Sequence, residues 1–197
     1  MKERIGTEAG PHLQIVDDLL SATLLRLIPH SVSPNSLTIV RFISVPIVAF
    51  LLLSHSYLWG AVLFALSALT DALDGAMART RGQITVWGKI ADPLADKLLI
   101  ATTALILVTR FVNLWVAALL ISIEAATVAR AIYRYTRARV AGANSMGKAK
   151  MVLQSVALLT LFLYAIFGAP LLLIVATWGL YLAIFFALMS LIFSPSV

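Results

Sequence analysis

TDALDGAMARTRGQITVWGKIADPLADK, residues 70–97, places four of the chain's 9 acids, Asp71, Asp74, Asp92 and Asp96, between two long apolar runs. An ionised carboxylate within a membrane span costs about 2.5–3.5 kcal/mol on insertion scales and is retained where it is paired or liganded. At about 100° per residue, Asp74, Gly75 and Ala78 fall within about 60° of Asp71, so they share one helical stripe. The same geometry gathers Gly88, Asp92 and Asp96 if residues 88–97 are helical, with Pro93 in the first turn of that helix, where its missing N–H is not needed. Two carboxylates on each of two helices joined by a short loop can converge on one point.

Outward from this stretch the chain is 61% hydrophobic and 12% charged, with a mean hydropathy of +0.97. A soluble domain is roughly 45–50% apolar, so the sequence reads as an all-α integral membrane protein. About 20 apolar residues cross the hydrocarbon. Six spans are predicted, near residues 37–56, 58–79, 92–109, 112–135, 148–167 and 170–193, with a tight turn at Gly168–Pro170 dividing the last two. Residues 34–197 then form one six-helix membrane domain. Residues 1–33 form a juxtamembrane segment in which LQIVDDLLSATLLRLIP has the apolar spacing of an amphipathic helix lying in the interface. That N-terminal segment lacks an early apolar core, does not read as a cleaved signal peptide and is expected to stay on the mature chain.

Of the 15 lysines and arginines, all but Arg110 fall on one side of this six-span layout. By the positive-inside rule, both termini and the aspartate-bearing loop are expected in the cytoplasm. Basic residues near a membrane surface also attract anionic lipids, and no nucleic-acid partner is expected. The chain has no cysteine, which excludes thiolate metal sites and cysteine nucleophiles. His12, His30 and His55 are too scattered to suggest a histidine metal centre.

Four converging carboxylates repel one another unless cations lie between them, and all-oxygen donors suit magnesium, manganese or calcium. A two-metal site clamps the entering and leaving oxygens of a phosphoryl displacement, so diphosphate chemistry is the natural reading. Gly75, Ala78 and Gly88 lack bulk on the same faces, which allows close approach of a substrate or of another helix. Arg79, near the interface, is placed to neutralise a phosphate or to snorkel. A divalent-cation transporter would also carry intramembrane acids, but nearer the midplane and often at broken helices. A structural lipid-binding protein explains the basic face and leaves the acids unexplained.

The order Asp71, two residues, Asp74-Gly75, two residues, Ala78-Arg79, eight residues, Gly88, three residues, Asp92, three residues, Asp96 resembles at every position the signature of the CDP-alcohol phosphatidyltransferase family. The resemblance implies transfer of a phosphatidyl group from CDP-diacylglycerol to an alcohol with release of CMP, dependent on Mg2+ or Mn2+, two ions per site, in a homodimer. It makes Asp71, Asp74, Asp92 and Asp96 metal ligands, and Asp96 also the base that takes the acceptor's proton. Gly75, Ala78, Arg79, Thr85 and Gly88 correspond to the CDP-diacylglycerol site. PNSLTIVR, with Asn35, Thr38 and Arg41, resembles the segment before span one in family members, which brings it to the nucleotide; Asn35 and Thr38 serve equally to cap helix one.

SMGKAKMVLQ resembles the opening of span five in the branches of the family that use glycerophosphate or inositol phosphate. It suggests an acceptor-phosphate site built from Arg134, Arg137, Ser145, Lys148 and Lys150. Span six has no arginine, unlike the inositol-phosphate branch, and this favours sn-glycerol 3-phosphate, giving phosphatidylglycerophosphate; inositol phosphate or another polar alcohol is the alternative. SIEAATVAR departs from the Arg-Glu pair of glycerophosphate enzymes. Its Glu124, mid-span, is expected either to pair with Arg110 or Arg130 or to extend the site.

Overall fold

The computed structural model describes residues 34–80, 86–136 and 145–193. These residues form six helices and no strand: α1 (Pro34–Leu53), α2 (Tyr57–Thr80), α3 (Val86–Phe111), α4 (Leu114–Thr136), α5 (Ser145–Phe167) and α6 (Pro170–Phe193). The expected interfacial helix within residues 1–33 lies outside the described residues.

Each expected span corresponds to one helix, and the differences have local causes. α1 stops at Leu53 rather than residue 56, because Ser56 N–H donates to the Leu51 carbonyl (2.8 Å) and His55 N–H to that of Leu52 (3.2 Å). His55 takes the left-handed conformation, φ 62°, that this helix-ending motif requires. α4 starts under a cap, with the Trp115 N–H donating to Asn113 Oδ1 at 2.7 Å. α3 begins at Val86, six residues before the expected start. Pro93 therefore lies inside the helix, not in its first turn, and is exposed, away from the packed face. Charges in VWGKIADPLADK hid this start from a count of apolar residues. Between α5 and α6 the expected tight turn is present, with Gly168 at φ 68°, a conformation glycine adopts without a Cβ clash.

Asn35–Leu53, Met146–Phe167 and Pro170–Phe193 are each long and apolar enough to cross a membrane. Large apolar side chains such as Phe50, Trp59, Trp115, Phe167 and Leu171 stand on the outside of the bundle. Exposed apolar surface on this scale needs lipid as its solvent, and the chain is a membrane protein.

The core joins Val48 and Leu52 of α1, Phe64 of α2, Leu99 and Leu107 of α3, Leu120 of α4, Leu158 and Phe162 of α5, and Leu180 of α6. α5 and α6 form the closest pair: a Cβ placed on Gly179 would lie 3.1 Å from the Ala157 Cβ. Small residues let membrane helices approach in this way. α1 packs on both α2 and α3, which brings the start of α1 beside the two aspartate-bearing segments.

Candidate active site

Asp92 and Asp96 are one turn apart on α3, about 40° around the helix. Asp96 is buried and Asp92 half-buried. Gly88, a turn earlier, is buried as well, so the expected stripe on α3 is present. Asp71, Asp74, Gly75, Ala78 and Arg79 occupy the last turns of α2, the helix that precedes α3. Thr85 and Arg137 lie outside the described residues.

α1 contributes directly to the site. Thr38, fully buried, donates its hydroxyl proton to Asp92 Oδ1. That bond orients one carboxylate oxygen and leaves the other available to a cation, as outer-shell partners do for metal ligands. Thr38 was expected at the nucleotide or as a cap. It stands four residues into α1, where side chains no longer cap, and it bonds Asp92 beside the expected site.

One turn further along α1, Arg41 is 0% exposed. Its Nε donates to the Ser67 carbonyl of α2 at 3.3 Å. Ser67 Oγ in turn donates to Ser44 Oγ (2.8 Å), and Ser44 Oγ to the Arg41 carbonyl (2.7 Å). Thr70 Oγ1 also donates to the Ser67 carbonyl, at 2.7 Å. A buried guanidinium is thereby locked to α2 four residues before Asp71, and its permanent charge lies close to the aspartate-bearing turns. Arg41 was legible as an arginine inside an apolar span; Ser44 and Ser67, as small polar residues in apolar runs, carried no signal of their own.

On the other side of α3 lies a second charged group. Lys150 Nζ of α5 forms an ion pair with Glu124 Oε1 of α4, and both residues are buried. Thr127 Oγ1 donates to the Glu124 carbonyl at 2.8 Å. Lys97 of α3, half-buried, interacts electrostatically with Glu124, Lys150 and Asp96, so the four residues form one cluster across three helices. Glu124 thus pairs with Lys150, not with Arg110 or Arg130. Arg130 Nη1 instead donates to the Leu191 carbonyl of α6, and Arg110 Nη2 to His55 Nδ1 at 2.8 Å. For Arg110 the reason is height along the bundle: it ends α3 next to the turn into α4, whereas Glu124 stands ten residues into α4.

Of the residues expected to hold the acceptor, Lys150 is buried in this cluster and Lys148, two residues away and so on the other face of α5, is exposed. Ser145 opens α5, and Arg134 lies in the last turn of α4. Asn35 is half-buried in the first turn of α1. Gln154, one turn beyond Lys150, is fully buried.

Comparison with known proteins follows the same outline. A family model described as CDP-alcohol phosphatidyltransferase matches residues 31–189. A protein of Bacillus subtilis (strain 168), named CDP-diacylglycerol--glycerol-3-phosphate 3-phosphatidyltransferase, is 31% identical over 173 residues, 80% of this chain and 90% of its own length. Proteins of the same name are similar over shorter stretches: that of Pseudomonas fluorescens is 41% identical over 87 residues, 42% of this chain and 44% of its own. That of Aquifex aeolicus is 47% identical over 64 residues, 32% and 36%.

Proposed function

The chain belongs to the CDP-alcohol phosphatidyltransferase family, and on that premise we propose that it transfers the phosphatidyl group of CDP-diacylglycerol to sn-glycerol 3-phosphate, giving phosphatidylglycerophosphate and CMP. The observation that carries this reading is the Asp71-to-Asp96 order laid on the end of α2 and the start of α3, with Asp96 buried and its neighbour Lys97 interacting with a buried lysine–glutamate pair. The name borne by the Bacillus subtilis relative supports the acceptor.

The donor chemistry fits a divalent cation: Asp92 and Asp96 offer carboxylate oxygens from one face, and the Thr38 bond fixes the orientation of Asp92. Asp71, Asp74, Asp92 and Asp96 would hold Mg2+ or Mn2+, as two ions. Bound there, the ions would neutralise the diphosphate and stabilise the oxygen that leaves. Asn35, Thr38, Gly75, Ala78, Arg79, Thr85 and Gly88 would bind the CDP-diacylglycerol, with the small residues admitting it close to the backbone. Lys150, with Ser145, Lys148, Arg134 and Arg137, would attract the phosphate of the acceptor. Asp96 takes the proton of the acceptor's primary hydroxyl. The hydroxyl oxygen forms a bond to the phosphorus that carries the diacylglycerol, the bond from that phosphorus to the bridging oxygen breaks, and CMP departs with the electron pair. Burial of Asp96 keeps competing water from the hydroxyl's place.

In this reading all six helices span the membrane, residues 1–33 lie on its surface, both termini and the site face the cytoplasm, and the enzyme acts as a homodimer among anionic lipids. The test is CMP release by purified protein with CDP-diacylglycerol and magnesium, against glycerol 3-phosphate, inositol phosphate, inositol and serine, with Asp71→Asn as control. Release that depends on glycerol 3-phosphate and disappears in the control is expected. Product from a different acceptor alone would replace the substrate, and release unchanged in Asp71→Asn would overturn the site.

A further inference from the structure

Gln154 on α5 is 0% exposed, and neither its Oε1 nor its Nε2 has a hydrogen-bond partner among the described residues. Thr103 Oγ1 on α3, equally buried, is in the same condition. Protein interiors satisfy such groups almost without exception, with protein, water or ligand, and two of them near one site point to a guest.

Their positions follow from register. The Phe111 and Tyr164 rings meet at 5.4 Å, and Lys97 interacts with Lys150. Each pair stands fourteen residues from the other along its own helix, so α3 and α5 run parallel and each position of α3 is level with the position 53 later on α5. Gln154 is then level with Ala101, about 3 Å from the height of Thr103 and about 7.5 Å beyond Asp96. Asp96 and Thr103, seven residues apart, share one face of α3; Lys150 and Gln154, four apart, share one face of α5. Helical side chains lean toward the N-terminus, and on α5 that tilt carries the Gln154 amide back toward Lys150 and the level of Asp96.

We propose that Gln154, backed by Thr103, reads the non-reacting secondary hydroxyl of the acceptor. This rests on the reading that the acceptor is a phosphorylated polyol. Lys150 draws the phosphate, Asp96 faces the primary hydroxyl, and the middle hydroxyl, one carbon away, meets an amide that can both donate to it and accept from it. A site built to bond a hydroxyl discriminates strongly against a substrate lacking it, because its buried polar groups are then left unsatisfied.

The experiment compares glycerol 3-phosphate with 3-hydroxypropyl phosphate, which lacks only the middle hydroxyl, in the full-length protein and in Gln154→Leu and Thr103→Val. The wild type is expected to prefer glycerol 3-phosphate by about 100-fold or more in kcat/KM. Gln154→Leu should bring glycerol 3-phosphate down to within a few-fold of the analogue while leaving the analogue and the KM for CDP-diacylglycerol unchanged. Thr103→Val should do the same to a smaller extent. Equal losses with both acceptors would assign Gln154 a packing role and overturn the proposal, as would a wild type that uses the two equally. If Gln154→Leu fails to fold, the wild-type ratio and Thr103→Val still decide. A wild type that makes no product from glycerol 3-phosphate but uses another alcohol would instead overturn the acceptor reading and take this inference with it.

Discussion

The two ends of the bundle hold polar residues in opposite ways. Around Asp92 and Asp96, Arg41, Glu124 and Lys150 are buried and tied to named partners. At the other end, Arg110 and His55 are exposed, bonded to each other and ringed by Tyr57, Phe111 and Tyr164, with the Arg110 guanidinium 5.7 Å from the Tyr57 centroid. A buried ion pair gains little or nothing over apolar packing of the same volume, so stability alone gives no reason to keep charges inside one end. Exposed arginine and aromatic rings are the residue types that membrane boundaries favour. The contrast is the one the proposed function expects, with interior charges kept for a ligand and exterior ones for placement.

Variants at five positions test that contrast. Asp96→Asn keeps shape and removes the base, so turnover should fall by about 10³-fold or more while CDP-diacylglycerol still binds; near-normal turnover would mean that the proton goes elsewhere. Glu124→Leu alone strands the Lys150 ammonium and should cost about 3–5 kcal/mol in a thermal or denaturant unfolding assay. The double variant Glu124→Leu, Lys150→Met should recover most of that stability and none of the acceptor affinity. A double variant with normal acceptor KM would return the pair to a structural role. Thr38→Val should weaken divalent-cation binding about 10–100-fold, read directly from the Mn2+ resonance signal, with Thr38→Ser restoring it. An unchanged signal would separate Thr38 from the cation site. Arg110→Gln, at the other end, should change stability by less than about 0.5 kcal/mol and leave turnover alone; a large loss of turnover there would break the division of the molecule into two kinds of end.

Helix number and the α5–α6 turn were legible because each helix carries a long apolar run and glycine before proline interrupts the last of them. α3 was the exception: its first six residues include Lys89 and lie before the apolar run, yet the backbone hydrogen-bond ladder continues through charged residues when a neighbouring helix or a ligand accommodates them. The aspartate stripe was legible too, since acids in an apolar chain stand out and their spacing alone places them on a face.

Partner choice was not legible. Glu124 has basic candidates at Arg110, Arg130, Lys97 and Lys150, and residue spacing along one helix does not tell which face of another helix stands opposite, or at what height. The sequence by itself determined the helices, the two aspartate-bearing segments and the family they match, because these depend on local periodicity and on residue order. The tertiary structure decided that Thr38 bonds Asp92, that Glu124 holds Lys150 and that Gln154 is sealed in the interior, because each of these depends on how separate helices align when they pack.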